Sequence, residues 1–297
     1  MPCRQVSWLC GILNLLILLG CAAALWAAAG SYDFRFVILG DRTGGAVPGV
    51  YHEVWREAAL DHPAFVITVG DTIEGGNDRT AGSEWTSALQ EIAPYRHFDI
   101  FFTPGNHDVW SAASARSYVE FSGHPLHYSF DYENAHFTVL DNSLSDQMPA
   151  AELTYLAGDL AAHAKQSLKF VFMHRPSWII PVLLQNPDFP LERLAKRWGV
   201  QYVIAGHLHQ MLHFDLDGVT YLSMGSSGGH LRDTKEYDKG WFFEHTLVTV
   251  HNGTVHFTVK EVGPPWGHSR ITGLSDWGVA GLVSSTRASD APAHASK

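Results

Sequence analysis

Between residues 34 and 262 short apolar runs alternate with stretches of helical periodicity. Residues 34–39 are aromatic and β-branched and stop at Gly40, which predicts a strand. Residues 50–60 place Val54, Trp55, Ala58 and Ala59 at helical spacing. A second strand is predicted over 65–69, ended by Gly70. A helix follows over 84–92, stopped by Pro94, and a third strand over 99–103. Residues 128–130 and 136–140 read as a strand pair, 150–164 as a helix and 168–173 as a strand. A helix over 191–198 precedes a strand over 200–205. Four further strands are predicted over 211–216, 219–223, 242–250 and 254–262, with Asn252-Gly253 marking a hairpin turn between the last two.

Alternating α/β followed by an all-β run predicts an α/β chain of mixed sheets covered by helices. The strands at Phe34, Phe65, Ile100, Phe170 and Val203 are continuously apolar, as strands covered on both faces are. No internal repeat is visible.

The polar chemistry follows those strands. Gly40-Asp41-Arg42-Thr43 comes after the first and Gly70-Asp71-Thr72-Ile73-Glu74 after the second. Gly105-Asn106-His107-Asp108 comes after the third, His174-Arg175 after the Phe170 strand, and Gly206-His207-Leu208-His209 after the Val203 strand. In α/β sheets the functional crevice lies beyond the carboxyl ends of the strands, so these groups converge on one edge. Alone, Gly-Asp is a turn, a lone His is a surface residue, and Asn-His-Asp is a helix cap. Together they assemble more polar groups than packing can use, and buried carboxylates without a counter-charge are costly. Oxygen and imidazole donors without thiolate suit Zn, Fe or Mn better than Mg or Ca. Six donors, one able to bridge, suffice for two ions.

These blocks resemble the calcineurin-like metallophosphoesterase superfamily, which includes purple acid phosphatases and many secreted phosphodiesterases. Its pattern is D-x-H, G-D, G-N-H-[DE], a lone His and G-H-x-H, here in order from about Phe34 to His209. The resemblance implies a two-sheet β-sandwich flanked by helices and a centre of two divalent or trivalent metal ions. Asp71 would bridge them, with Asp41 and His209 completing the first site and Asn106, His174 and His207 the second. His107 would be the catalytic acid rather than a ligand. Two such cations lower the pKa of a shared water and clamp an in-line displacement at phosphorus, and an imidazole suits an alkoxide leaving group near neutral pH.

One departure matters. Thr43 stands where the pattern has the His of D-x-H. Glu74 lies three residues after the bridging Asp, where purple acid phosphatases carry a ligand Tyr. It either supplies an oxygen ligand or orients His107. Arg42 and Arg175 each neighbour a proposed ligand and are candidate substrate-phosphate contacts. The glycine-rich loop Met224-Gly225-Ser226-Ser227-Gly228-Gly229-His230 is placed in the cleft wall. His52, His62, His97, His124, His127, His136, His163 and His213 fall outside the blocks and are read as structural or surface residues.

Composition narrows the partners. With 20 Lys+Arg against 30 Asp+Glu the 297-residue chain carries a formal −10, which argues against a nucleic-acid surface. At 46% hydrophobic and 17% charged it is not a disordered chain. The expected partner is a small-molecule phosphate ester. Residues 31–262 are read as the phosphoesterase domain and 263–297 as a flexible tail. All three cysteines, Cys3, Cys10 and Cys21, lie in residues 1–30, so the body depends on neither disulfide nor thiolate. Arg4, an apolar run over 8–29 and Ala27-Ala28-Ala29-Gly30 read as an export signal peptide. An uncleaved membrane anchor and a lipobox at Leu18-Leu19-Gly20-Cys21 are the alternatives, and all three make the protein exported, with a membrane tether in two of them. Two other functions remain open. One is a catalytically degenerate member that binds a ligand or partner. The other is a hydrolase of a nucleotide or lipid-linked pyrophosphate.

Overall fold

The computed structural model describes residues 33–231, 239–263 and 268–277. Along strand β1 (Phe34–Leu39) alternate side chains take opposite faces: Phe36 and Ile38 enter one core, and Val37 and Leu39 another. That division explains why the run has no polar alternation. Strand β1 pairs in parallel with β2 (Phe65–Thr68), and β2 with β3 (Asp99–Phe101). On its other side β1 runs antiparallel to β10 (Glu244–His251), followed by β11 (Thr254–Val262) and β12 (His268–Gly273). The second sheet has the order β4 (Tyr128–Tyr132), β5 (Ala135–Val139), β6 (Leu168–Phe172), β7 (Tyr202–Ala205), β9 (Val219–Ser223), β8 (Leu212–Leu216). The expected two-sheet sandwich flanked by helices is therefore the observed architecture, with six strands in each sheet.

Between the sheets the core is aromatic. Phe36 stacks on Phe65 at 4.9 Å and meets Phe137 and Phe170 edge-on at 5.3 and 5.5 Å. Each ring is buried, and truncating one to alanine costs about 3–5 kcal/mol. Outside the first sheet pack α1 (Val50–Leu60), α2 (Ala81–Ile92) and α3 (Ala112–Ser122), through Trp55, Trp85 and Tyr118. Outside the second pack α4 (Ala150–Ala162), α5 (Ile179–Leu183) and α6 (Pro190–Trp198), through Leu156, Leu160, Val182 and Leu191.

The sheet runs past the boundary expected at Val262. Strand β12 pairs with β11, and Trp277 is fully buried against Phe242 at 4.7 Å, so the fold reaches at least Trp277 rather than giving way to a tail at 263. The apolar run over 8–29 lies outside the described residues. Among the described residues no helix is long and apolar enough to cross a membrane.

Candidate metal centre

The loops after β1, β2, β3, β6 and β7 meet at one edge, and close backbone approach brings them there. A Cβ at Gly105 would lie 2.2 Å from Asp71 Oδ1, and one at Gly206 2.3 Å from Asp41 Oδ1, so both positions need glycine. Asp71, His207 and His209 all have positive φ (56°, 70° and 56°), a conformation that costs non-glycine residues of order 1–3 kcal/mol and gathers at functional sites. Asp108 ties two of the loops together, its carboxylate accepting the N–H groups of Thr72, Ile73 and Gly105 at 2.8, 3.2 and 2.9 Å. Asn142 does the same for the loop after β6. Its Oδ1 accepts the N–H of His174 and of Arg175, and its Nδ2 donates to the Arg175 carbonyl.

Two donor groups result, and they share one residue. Asp71, His174 and His207 bring ligand atoms within 4.8 Å of one another, and so do Asp41, Asp71 and His209. Asn106 joins the first of these, its Oδ1 3.0 Å from His174 Nε2. All six residues expected to hold metal thus meet at one place, with Asp71 common to both groups. Two of the imidazoles are held through their other nitrogen, as metal-binding histidines are. His174 Nδ1–H donates to the Val69 carbonyl at 2.8 Å and His209 Nδ1–H to the His230 carbonyl at 2.7 Å. A carbonyl can only accept, so each Nε2 is left turned inward, 3.3 Å from Asp71 Oδ1 and 3.1 Å from Asp41 Oδ2 respectively. Asp41 is fully buried, and its Oδ1 has no hydrogen-bond partner. A mixed oxygen–imidazole set with an orphaned buried carboxylate oxygen fits a cation better than it fits an empty core.

Charges in the site act on one another. Burial alone would raise the Asp71 carboxyl, but the His174 imidazole and the His107 N–H outweigh it and hold it at about 2. Burial disfavours the charged form of His174, yet Asp71 and then Asp41 raise it to about 9. His207 is pushed down to about 4 by burial and by the charges of His174 and Arg175. Its Nδ1 faces His174 Nε2 at 3.2 Å, so the two nitrogens cannot both carry protons. Burial, then the charge on Asp71, pushes Asp108 up to about 7.

A cleft of about 200 Å³ opens over these groups, lined by Asp71, Asn106, His107, His207, His209 and His230 among others. His107 stands at its rim, with Nδ1–H donating to the Glu74 carbonyl at 2.5 Å and its backbone N–H donating to Asp71 Oδ1. The Glu74 carboxylate does neither of the two things expected of it. It turns to the neighbouring loop, accepting the N–H of Ala46 at 2.6 Å and of Gly45 at 3.3 Å. Arg175 lies beside the centre, its Nη1 3.4 Å from His207 Nε2 and 2.5 Å from Asp146. Arg42 does not. Its guanidinium reaches the Thr72 carbonyl and pairs with Glu91 at 3.0 Å while covering the Tyr51 ring, so the expected phosphate contact is corrected to a structural one. The glycine-rich loop was expected in the cleft wall, and His230 is its residue there.

The sequence matches the family model described as calcineurin-like phosphoesterase over residues 34–211, more than half of the chain. The chain belongs to the calcineurin-like phosphoesterase family. The enzyme class expected from its five blocks is the class of that family. No curated protein sequence matches the chain. Among solved structures the phosphoesterase fold is shared with a purple acid phosphatase from yellow lupin, at a TM-score of 0.59 and 15% identity. That alignment covers 78% of this chain and 52% of the lupin enzyme, so the chain spans about half of that protein's length. GAP50 of Plasmodium, described as the anchor in the inner membrane complex, aligns at 0.55 and 15% identity, covering 82% and 88% of the two chains. A dimetal phosphatase from Danio rerio aligns at 0.52 and 14%, covering 81% and 98%.

Proposed function

We propose that this phosphoesterase hydrolyses a phosphomonoester or phosphodiester of a small molecule at the cleft beside His107. The observation that carries the reading is the sharing of Asp71 between two donor groups. Asp71, Asn106, His174 and His207 would hold one ion, and Asp41, Asp71 and His209 a second. The donor set suits Fe, Mn or Zn. When bound, such a pair supplies Lewis acidity and a nucleophilic water at neutral pH.

The chain's own residues do the rest. Val69 and His230 fix the tautomers of His174 and His209 through their carbonyls. The Glu74 carbonyl holds His107 with Nδ1–H fixed and Nε2 free. In its imidazolium form His107 therefore offers the Nε2 proton to the departing oxygen. Arg175, held by Asp146 and the Ser143 carbonyl with Nη1 3.4 Å from His207 Nε2, would take a phosphoryl oxygen through its guanidinium. The apolar run over 8–29 and the small residues after it support export, by signal or tether.

A second reading, a binding protein on a degenerate site, is favoured by one observation: with Thr43 in place of an imidazole, the Asp41 group has three donors where the other has four. Hydrolysis of p-nitrophenyl phosphate and of its bis ester with added Mn²⁺, in wild type and His107→Ala, separates the two. The enzyme reading expects turnover to fall by about 10²–10⁴ in the variant with metal content unchanged. Equal turnover in both proteins would discard it.

A further inference from the structure

The glycine-rich stretch after β9 does more than bring His230 to the cleft. Residues 225–229 are buried and lie flat against the backbone of residues 40–43. A Cβ at Gly40 would sit 1.8 Å from the Gly225 carbonyl oxygen, and one at Gly229 2.2 Å from the Thr43 carbonyl oxygen, so the two segments approach more closely than side chains allow. The stretch holds Asp41 by its main chain. The Asp41 carbonyl accepts the N–H of Ser227 at 2.9 Å and of Gly229 at 3.1 Å. Ser227 Oγ accepts the N–H of Gly40 at 2.8 Å and donates to the Glu244 carbonyl at 2.7 Å, which ties the residue before Asp41 to strand β10. Ser226 shapes the turn that follows, its Oγ accepting the Gly228 N–H at 3.1 Å and donating to the Gly229 carbonyl at 2.7 Å. That turn ends at His230, whose carbonyl takes the His209 Nδ1–H at 2.7 Å. Gly229 lies against the same ring, where a Cβ would be 2.5 Å from His209 Cε1.

Asp41 and His209 are the two members of the three-donor group that the other group does not share. One follows β1 and the other β7, in different sheets, and the 225–230 stretch grips both. The four-donor group has other supports. Asp108 binds the loops that carry Asp71 and Asn106, and Asn142 with the Val69 carbonyl holds His174. The His207 peptide N–H donates to Asp41 Oδ2 at 2.8 Å, which leaves its imidazole to the four-donor group. Close packing alone accounts for buried glycines. It does not call for two buried hydroxyls, one serving each unshared member of a single donor group. Three donors bind an ion less strongly than four, so occupancy of the Asp41 group depends more on ligands already held in place.

We propose that Ser226 and Ser227 are positioning residues for the ion of the Asp41 group. Ser227 sets Asp41 through Gly40, and Ser226 sets His209 through the turn to His230. The rigidity they supply stands in for the donor absent at Thr43. This inference rests on the dinuclear reading above and adds which buried hydroxyls govern the loading of one of its two ions.

The test is calorimetric titration of the metal-stripped full chain with Zn²⁺, in wild type, Ser226→Ala, Ser227→Ala, His209→Ala and Asn142→Ala. Melting temperatures of the stripped proteins are measured alongside. The binding step that disappears in His209→Ala belongs to the Asp41 group. The proposal expects each serine variant to weaken that step by about 10- to 100-fold, the usual effect of losing a residue that orients a metal ligand, and to leave the other step unchanged. Asn142→Ala, an equally buried clamp on the His174 loop, is the comparison and weakens the other step instead. A merely structural role would lower the melting temperature of the serine variants without separating the two steps. The two serine variants are independent readings, so one that fails to fold leaves the other to decide. An unchanged His209-dependent step in the folded serine variants, or equal weakening of both steps, overturns the proposal and leaves the dinuclear reading standing. A wild type that binds in a single step of one equivalent, or not at all, overturns both.

Discussion

His107 and Glu74 are joined through the backbone and not through the carboxylate. The Glu74 carbonyl accepts the His107 Nδ1–H at 2.5 Å, while the Glu74 carboxylate accepts the N–H groups of Gly45 and Ala46. The hydrogen bond that orients the proposed acid therefore does not use the carboxylate of residue 74.

It follows that Glu74→Gln keeps the acid in place and keeps an acceptor for the 45–46 loop. Metal content should be unchanged, and kcat should fall by no more than about tenfold, the scale of one weakened charge-assisted hydrogen bond. Elemental analysis with steady-state kinetics checks this. Loss of a metal equivalent would mean that the carboxylate is a ligand after all.

The two arginines beside the ligands should separate cleanly. Arg175→Ala removes a guanidinium 3.4 Å from His207 Nε2, and KM should rise about tenfold with a smaller change in kcat. Arg42→Ala removes a partly buried pair with Glu91, so KM should be unaffected and stability should fall by about 1 kcal/mol or less. Kinetics and denaturant titration on both variants decide. A raised KM in Arg42→Ala would return that residue to the substrate site.

Glu244 makes folding stability depend on pH. The side chain is fully buried, and burial pushes its carboxyl up to about 8 despite hydrogen bonds from Thr246 and Gly225. In the unfolded chain it ionises near its ordinary 4.5. Between those values the folded state holds a proton that the unfolded state has released, so stability falls as pH rises. The penalty is absent below the unfolded value and fully developed above about 8, at about 1.4 kcal/mol for each unit of separation. Glu244→Gln should therefore be more stable than wild type at pH 8 and show little difference at pH 4.5, measured by urea unfolding. A difference that does not change with pH would contradict the buried neutral carboxyl.

Much of the frame was legible because strands covered on both faces leave apolar runs, and β1 begins and ends where its run does; β9 and β11 also keep their expected bounds, β11 as a half-buried strand in a hairpin marked by Asn252-Gly253. Helix α3 was not read from the sequence. Its buried face carries Ser114 and Tyr118 instead of aliphatic residues, although its ends are marked by the Ser111–Ser114 capping box and by Gly123 at φ 76°. Strand β12 escaped notice because it follows a Gly-Pro-Pro-Trp-Gly stretch and its large apolar residue, Ile271, is exposed. At the site, the six donors were legible because each follows a strand end. Asn142, the contacts of the Glu74 carboxylate and the withdrawal of Arg42 were not, since side-chain hydrogen bonds between loops leave no periodic trace. His136, read as a structural or surface histidine, is a fully buried one held between the carboxylates of Asp131 and Asp159.

The sharing of Asp71 is tested most directly by counting metal equivalents in wild type, Asp71→Asn and His209→Ala under the same saturation and washing. A bridging carboxylate predicts that Asp71→Asn loses two equivalents and His209→Ala one, with all three proteins folded by circular dichroism. If folded Asp71→Asn loses one equivalent or none, the two donor groups do not act through a common residue, and the account of a dinuclear centre is wrong.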